Sequence, residues 1–137
     1  MKVAFYGGLL LNNVQKVYEA FYELRHGYGM DNLVLVQGGG AQELLQRFAG
    51  AFGVPVTSLI MPWLLYGTDA PQAQRHAILH LYPDMVVVLP GGADEEQMVA
   101  ICEAQDVPVW DLRSIPYIGL GDPTQLGGGV DPEAPAL

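Results

Sequence analysis

Leu33-Val34-Leu35-Val36-Gln37-Gly38-Gly39-Gly40-Ala41 decides the fold: an unbroken apolar run empties into three glycines, and a helical pattern begins at once. An apolar run without alternation is how a strand buried on both faces reads, as in a parallel sheet covered by helices. The same arrangement occurs earlier, at Val3-Ala4-Phe5-Tyr6-Gly7-Gly8, and later, at Met85-Val86-Val87-Val88-Leu89-Pro90-Gly91-Gly92. Glycine in a strand-to-helix turn lets a ligand approach the backbone, whose N–H groups then face it. Three such turns predict a ligand groove along the carboxyl edge of a parallel sheet.

Outward from these runs the alternation is regular. Strands are expected at 2–6, 32–37, 54–60, 84–89 and 107–111, with helices at 13–26, 41–52, 71–81 and 94–105. Val14, Val17, Tyr18, Phe21 and Leu24 repeat at the spacing of one helical face, with Asn12 or Asn13 as N-cap. Leu44, Leu45, Phe48 and Phe52 do the same in the second helix, which Gly53 and Pro55 close. Strands alternating with helices imply right-handed crossovers. The expected fold is therefore α/β: a Rossmann-like, doubly wound, mainly parallel five-stranded sheet with helices on both faces. Residues 61–70 fall outside the alternation as a long connection, and residues 114–137 read as an acidic Gly/Pro-rich tail after a domain spanning 1–113.

Composition bounds the function. At 137 residues, half of them hydrophobic and 15% charged, the chain is long enough for one well-buried core. No leader-like segment or membrane-length apolar run is visible, and the single cysteine, Cys102, fits a reducing compartment, so a cytoplasmic location is expected. Cys102 lies on a helical pattern and reads as a small buried apolar residue rather than a nucleophile. The net charge of −9 is unevenly placed. Residues 1–81 balance Glu19, Glu23, Asp31, Glu43 and Asp69 against five bases, whereas beyond residue 81 Arg113 is the only lysine or arginine. Lys and Arg form no cluster, so a nucleic-acid partner is not expected.

Other candidate chemistry is sparse. His76 and His80 are spaced as in zinc-binding helices, but no glutamate lies between them and no third ligand suggests itself, so no metal is assigned. His26, beside Arg25 at a helix end, complements the helix dipole. Trp63 and Tyr66 sit in the long connection, where their rings would either stack on a ligand or pin the loop. Asp69 and Arg75 flank that connection as polar contacts.

The order of motifs resembles the YspA-like branch of the SLOG superfamily, which also holds the Lonely Guy phosphoribohydrolases and DprA. The matching pieces are Gly7-Gly8, Val36 with Gly38-Gly39, Gly53-Val54-Pro55-Val56, Pro62-Trp63 with Tyr66-Gly67, and Tyr82-Pro83-Asp84. Pro90-Gly91-Gly92 with Met98-Val99, and Pro108-Val109-Trp110, complete the set across about residues 1–113. The resemblance implies strand order 3-2-1-4-5, a nucleotide-derived ligand at the glycine turns, and a homodimer formed through helices.

Departures from that pattern narrow the ligand. Leu9 stands where the branch usually has arginine, and Gln42, Glu43 and Leu44 follow Gly39-Gly40-Ala41 in place of Arg-Gly-Ala-Asp. Ala73 and Gln74 lack the arginine of the next motif, with Arg75 the nearest substitute, and Ala93-Asp94-Glu95 replaces x-Gly-Thr. Arginine forks hold phosphate oxygens, and carboxylates at a helix start repel them. Asp94 itself reads as a side-chain N-cap ahead of Glu95 and Glu96. The glutamate of the phosphoribohydrolase motif falls on Met98, so that mechanism does not carry over, and catalytic residues and cofactors are left unassigned.

The expected function is non-catalytic binding of a small nucleotide or ADP-ribose-like ligand, as a sensor or scavenger. Its expected site comprises Gly7, Gly8, Gly38, Gly39, Gly40, Trp63, Tyr66, Arg75, Pro90, Gly91, Gly92, Asp94 and Glu95. Two alternatives stand beside it. One is a hydrolase of N-glycosidic or phosphoribosyl bonds using Glu95 or Glu96; the other is a degenerate domain acting through protein contacts.

Overall fold

The computed structural model describes residues 1–8, 11, 13–90 and 94–113. Among the described residues eleven elements follow one another: β1 (Lys2–Gly7), α1 (Val14–Gly27), β2 (Asn32–Val36), α2 (Ala41–Phe52), β3 (Val56–Leu59), α3 (Trp63–Tyr66), a 3-10 turn (Gly67–Asp69), α4 (Ala70–Leu79), β4 (Met85–Leu89), α5 (Glu95–Ala104) and β5 (Val109–Asp111). The strands form one parallel sheet in the order β3-β2-β1-β4-β5. Chain order reverses between β1 and β4, which is the switch point of a doubly wound sheet. The tail at 114–137 and the residues Leu9, Asn12, Gly91, Gly92 and Ala93 lie outside the described residues.

The sheet is buried on both faces because side chains alternate along each strand. Val3 and Phe5 of β1, Leu33 and Leu35 of β2, and Val87 and Leu89 of β4 join the core beneath α1 and α2. Their neighbours Ala4, Tyr6, Val34, Val36, Val86 and Val88 face the opposite way, toward Ile78 of α4 and Met98 and Cys102 of α5. Burying each large apolar side chain stabilises the fold by about 1.5–3 kcal/mol. Such residues occupy most positions of the three central strands, which is why those runs read so clearly in the sequence.

Local signals set most helix ends. Asn13 caps α1, its side-chain oxygen accepting from the Lys16 N–H at 3.1 Å. Gly53 closes α2 in the left-handed region at φ +71°, and the following Val54 N–H returns to the Ala49 carbonyl. The connection 61–70 differs from the loop expected of it. Pro62 accepts from the N–H groups of Leu65 and Tyr66, winding a helical turn, and the 3-10 turn then runs into α4 with Pro71 in its first turn. A proline at each start made this stretch look irregular in sequence, although both positions suit a helix. The outer strand β3 and helix α4 are also shorter than expected, and α4 ends ahead of Tyr82, which holds φ +52°.

At the amino edge of the sheet, β1 and β4 are fastened by polar contacts. The Lys2 N–H donates to the Asp84 carboxylate at 2.7 Å, and the Asp84 N–H donates back to the Lys2 carbonyl at 2.8 Å. The Lys2 ammonium caps the Leu81 carbonyl at 2.8 Å. Among the described residues no helix is long and apolar enough to cross a membrane.

Cys102 is fully buried on α5, and burial pushes its thiol up to about 11, far from the thiolate a nucleophile needs. An aromatic disulfide reagent at pH 8 is therefore expected to leave the native thiol unmodified, and to release one equivalent of thiolate once the chain is unfolded in guanidinium. Rapid labelling of the native protein would contradict this burial.

Candidate functional site

The carboxyl ends of β1, β2 and β4 are neighbours, so their turns share one edge of the sheet. Three of the glycines there are conformationally required. Gly7, Gly8 and Gly40 hold φ +85°, +74° and +62°, a region L-residues rarely adopt. Space is also short at the first two. A Cβ on Gly7 would meet the Leu89 carbonyl oxygen at 2.7 Å and the Glu95 side chain at 2.8 Å; one on Gly8 would meet Ala41 at 3.0 Å and Leu89 at 3.1 Å. Gly39 is the opposite case, since a Cβ there would meet nothing within 4 Å.

What fixes this edge is Gln42, a residue that the sequence reading noted only as a departure from a motif. The β1–β2 register pairs Lys2–Ala4 with Asn32–Val34. Beyond it the Gln42 carboxamide takes over: its Nε2 donates to the carbonyls of Phe5 (3.1 Å) and Gly7 (3.0 Å), and its Oε1 accepts from the Val36 N–H (3.0 Å). The Gly8 carbonyl in turn accepts from the N–H groups of Ala41 (2.9 Å) and Leu11 (3.0 Å). The first glycine turn is thereby tied to the start of α2. Gln42 shares a helical face with Leu45 and Ala49, all three buried; a polar residue in that core register was the available signal.

A polar cluster lies at the β1/β4 switch point. Tyr6, the last side chain of β1, is 6% exposed and turns its hydroxyl toward α4, where Arg75 donates to it at a long 3.5 Å. The same guanidinium nitrogen lies 3.8 Å from an Asp94 carboxylate oxygen. Charge-assisted bonds of this type are usually about 2.7–2.9 Å, so Arg75 is loosely held, although its side chain is only 12% exposed. Burial raises the Tyr6 phenol above its ordinary range; Arg75 offsets part of this, while the charges of Asp94 and Glu95 add to it. On the same helix, the buried Nε2 of Gln74 makes no hydrogen bond to a described residue.

Asp94 departs from its expected role. It holds φ +63° and its side chain makes no capping bond to α5. An N-cap residue normally sits in the extended region. The left-handed backbone instead leaves its carboxylate beside Arg75, on the side of the β1 carboxyl end. Glu95 follows at 6% exposure against Gly7, and Glu96 is exposed.

The expected site residues thus divide. Gly7, Gly8, Arg75, Asp94 and Glu95, with the unexpected Tyr6, converge on the switch point. Gly38, Gly39 and Gly40 border it between β2 and α2, and Pro90 follows β4. Trp63 opens α3 and Tyr66 ends it; Tyr66 is half-exposed and enters no ring–ring pair among the described residues. Gly91 and Gly92 fall outside the described residues. His76 and His80 join no group of three metal-ligating side chains among the described residues. His26 packs its ring on Tyr22 at 4.2 Å. Lys16, which the sequence reading passed over, is buried in α1 and pairs with Glu19 at 3.1 Å, in helical register with the buried Ala20 and Leu24.

Comparison with family models, with curated proteins and with solved structures finds no match to this chain. The site therefore stands on its own geometry.

Three substitutions separate framework from approach surface. Gly7→Ala is expected to cost about 1–3 kcal/mol from backbone strain alone, and more because of the Leu89 contact. Gly39→Ala should stay within about 0.5 kcal/mol of the parent. Gln42→Ala strands one N–H and two carbonyls, with an expected loss of about 1–3 kcal/mol. Urea unfolding of the three variants checks this order; a Gly39→Ala loss equal to that of Gly7→Ala would refute it.

Proposed function

We propose that the chain binds a small nucleotide-derived ligand along the carboxyl edge of its sheet, without transforming it. The observation that carries this reading is Arg75, loosely paired with Tyr6 and Asp94 at the β1/β4 switch point of a parallel sheet, with the β2 glycine turn at the end of the neighbouring strand. Open α/β sheets take their ligands at that position. Gly39 offers backbone with open space above it, and Arg75 offers a guanidinium fork whose two described contacts are both long.

Charge narrows the ligand further. Glu43 lies in the first turn of α2, and Glu95 and Glu96 lie in that of α5. These carboxylates oppose the dense negative charge of a polyphosphate, while Arg75 suits one anionic group. A nucleoside, a monophosphate, a cyclic nucleotide or an ADP-ribose-like molecule held through its sugars fits this balance best. A role in sensing or sequestering such a molecule follows from binding without turnover.

Thermal-shift measurements against nucleosides, mononucleotides, cyclic nucleotides and ADP-ribose test the reading. A ligand at 100 times its Kd should add about 2.7 kcal/mol of stability, moving Tm by several degrees. Gly39→Asp should abolish the shift without unfolding the chain. Arg75→Ala should remove it for anionic ligands but spare nucleosides. Asp94→Gly should strengthen monophosphates relative to nucleosides by freeing Arg75. A flat response across the panel would count against the proposal and favour action through protein contacts. Release of free base from any nucleotide, lost in Glu95→Gln, would replace it with the hydrolytic reading.

A further inference from the structure

The polar groups at the switch point form a mixed set of donors and acceptors. One Arg75 nitrogen lies 3.5 Å from the Tyr6 hydroxyl and 3.8 Å from an Asp94 carboxylate oxygen. The Tyr6 oxygen accepts from Arg75, which leaves its own O–H to donate. Ionised Asp94 can only accept, and its side chain is 40% exposed, so its oxygens are within reach of a ligand. Gln74 adds a further donor. The chain just past the end of α4 meets Lys2 at the amino edge, through the Leu81 carbonyl, so α4 starts at the carboxyl edge. Gln74 is buried on one side of this helix with Ala70 and Ile78. It stands a turn nearer the carboxyl edge than Ile78, which packs in the same core cluster as Tyr6. Its side chain is 2% exposed, yet its Nε2 has no hydrogen-bond partner among the described residues. Buried amides are nearly always paired, so an unpaired one next to Arg75 calls for an acceptor from outside the chain.

This set discriminates between ligand groups. A phosphate only accepts, so it would suit Arg75, Tyr6 and Gln74 but oppose Asp94. A base needs an aromatic or apolar face to stack on, and Tyr6, the ring of this cluster, is only 6% exposed. A hydroxyl both donates and accepts from a single atom, and it alone meets Asp94 and a neighbouring donor at once. Resting on the binding proposed above, the geometry points to a diol subsite: Asp94 accepts from two neighbouring ribose hydroxyls, whose oxygens accept from Tyr6, Arg75 and Gln74. The left-handed backbone at Asp94, φ +63°, keeps the carboxylate in that place. The ligand class narrows to ribonucleosides, their 5′-monophosphates and ADP-ribose, in which the 2′ and 3′ hydroxyls are both free. Deoxyribose and 3′,5′-cyclic nucleotides bring one such hydroxyl and leave half of the set unpaired. Asp94 and Gln74 both stand where the chain departs from the motifs of the resemblance, so the preference belongs to this chain's own residues.

Calorimetric titration of the full-length chain tests the inference, using the common ribonucleosides, their 5′-monophosphates and ADP-ribose, each beside its 2′-deoxy counterpart. The ribo form should bind at least about tenfold more tightly, the consequence of leaving a polar group of the site unpaired. Asp94→Gly should bring the two forms within about twofold of each other, chiefly by weakening the ribo form. Gln74→Met, which keeps the side chain's length, should also narrow the preference. Its Tm should not fall, because the amide that it removes is unpaired. Equal binding of ribo and deoxy forms would overturn the diol subsite while leaving the proposed binding in place. So would a preference that survives Asp94→Gly, or an Asp94→Gly chain that loses both forms alike, as a purely structural Asp94 requires. No binding by any member of the panel would remove the proposed function and the diol subsite together.

Discussion

A parallel ladder that stops short of its strand ends leaves backbone groups that must find other partners. At the carboxyl ends of β1 and β2 the Gln42 carboxamide is that partner, meeting Phe5, Gly7 and Val36 at once. Because Gln42 stands in the first turn of α2, the same bonds fix where that helix begins. The Gly8 carbonyl, bonded to Ala41 and Leu11, completes the tie. The glycine turn is thus bound to the sheet and to α2 together, and its left-handed backbone is held in place by neighbours on several sides. A surface that must present backbone to a ligand gains from this arrangement, since the turn is already ordered before anything binds.

The fold was legible because its strands carry the information twice. Val86, Val87 and Val88 are apolar on both faces, which only a doubly covered strand tolerates, and the glycines after them mark where each strand gives way. The strand order β3-β2-β1-β4-β5 is also the one expected. The site was less legible, for physical reasons that differ by residue. Gly39 and Gly7 look alike in sequence, yet one is open and the other is pressed against Leu89 and Glu95; long-range packing decides, and one-dimensional spacing does not record it. Asp94 beside acidic residues reads as a helix cap by local preference. Its carboxylate instead lies beside Arg75, nineteen positions earlier in the chain. Gln42 and Tyr6 were visible only as polar groups in apolar register, a signal that shows strain or function without saying which.

The two edges of the strands are chemically distinct. At the amino edge, Lys2, Asp84 and the Leu81 carbonyl satisfy one another at ordinary hydrogen-bond distances. At the carboxyl edge, Arg75 reaches Tyr6 and Asp94 only at 3.5 and 3.8 Å, and the Gln74 amide lacks a described partner. Donors with long contacts keep free energy in reserve, because a better acceptor would shorten them without breaking a strong bond. That difference, more than the glycines themselves, separates an edge that closes the structure from the one proposed to accept a guest.

In the proposed binding site, Asp94 would set the terms on which a guest enters. Its left-handed backbone costs on the order of 1–3 kcal/mol in a non-glycine residue, and that strain keeps a carboxylate next to the only described arginine at the switch point. An incoming anion must compete with this resident negative charge for the guanidinium. A neutral hydroxyl pair need not compete, since it can donate to Asp94 while leaving Arg75 where it is. On the proposed reading, the Asp94–Arg75 pair would therefore favour ligands that bring donors and at most one anionic group. It would penalise each additional phosphate by repulsion from Asp94, Glu95 and Glu96 at the start of a single helix.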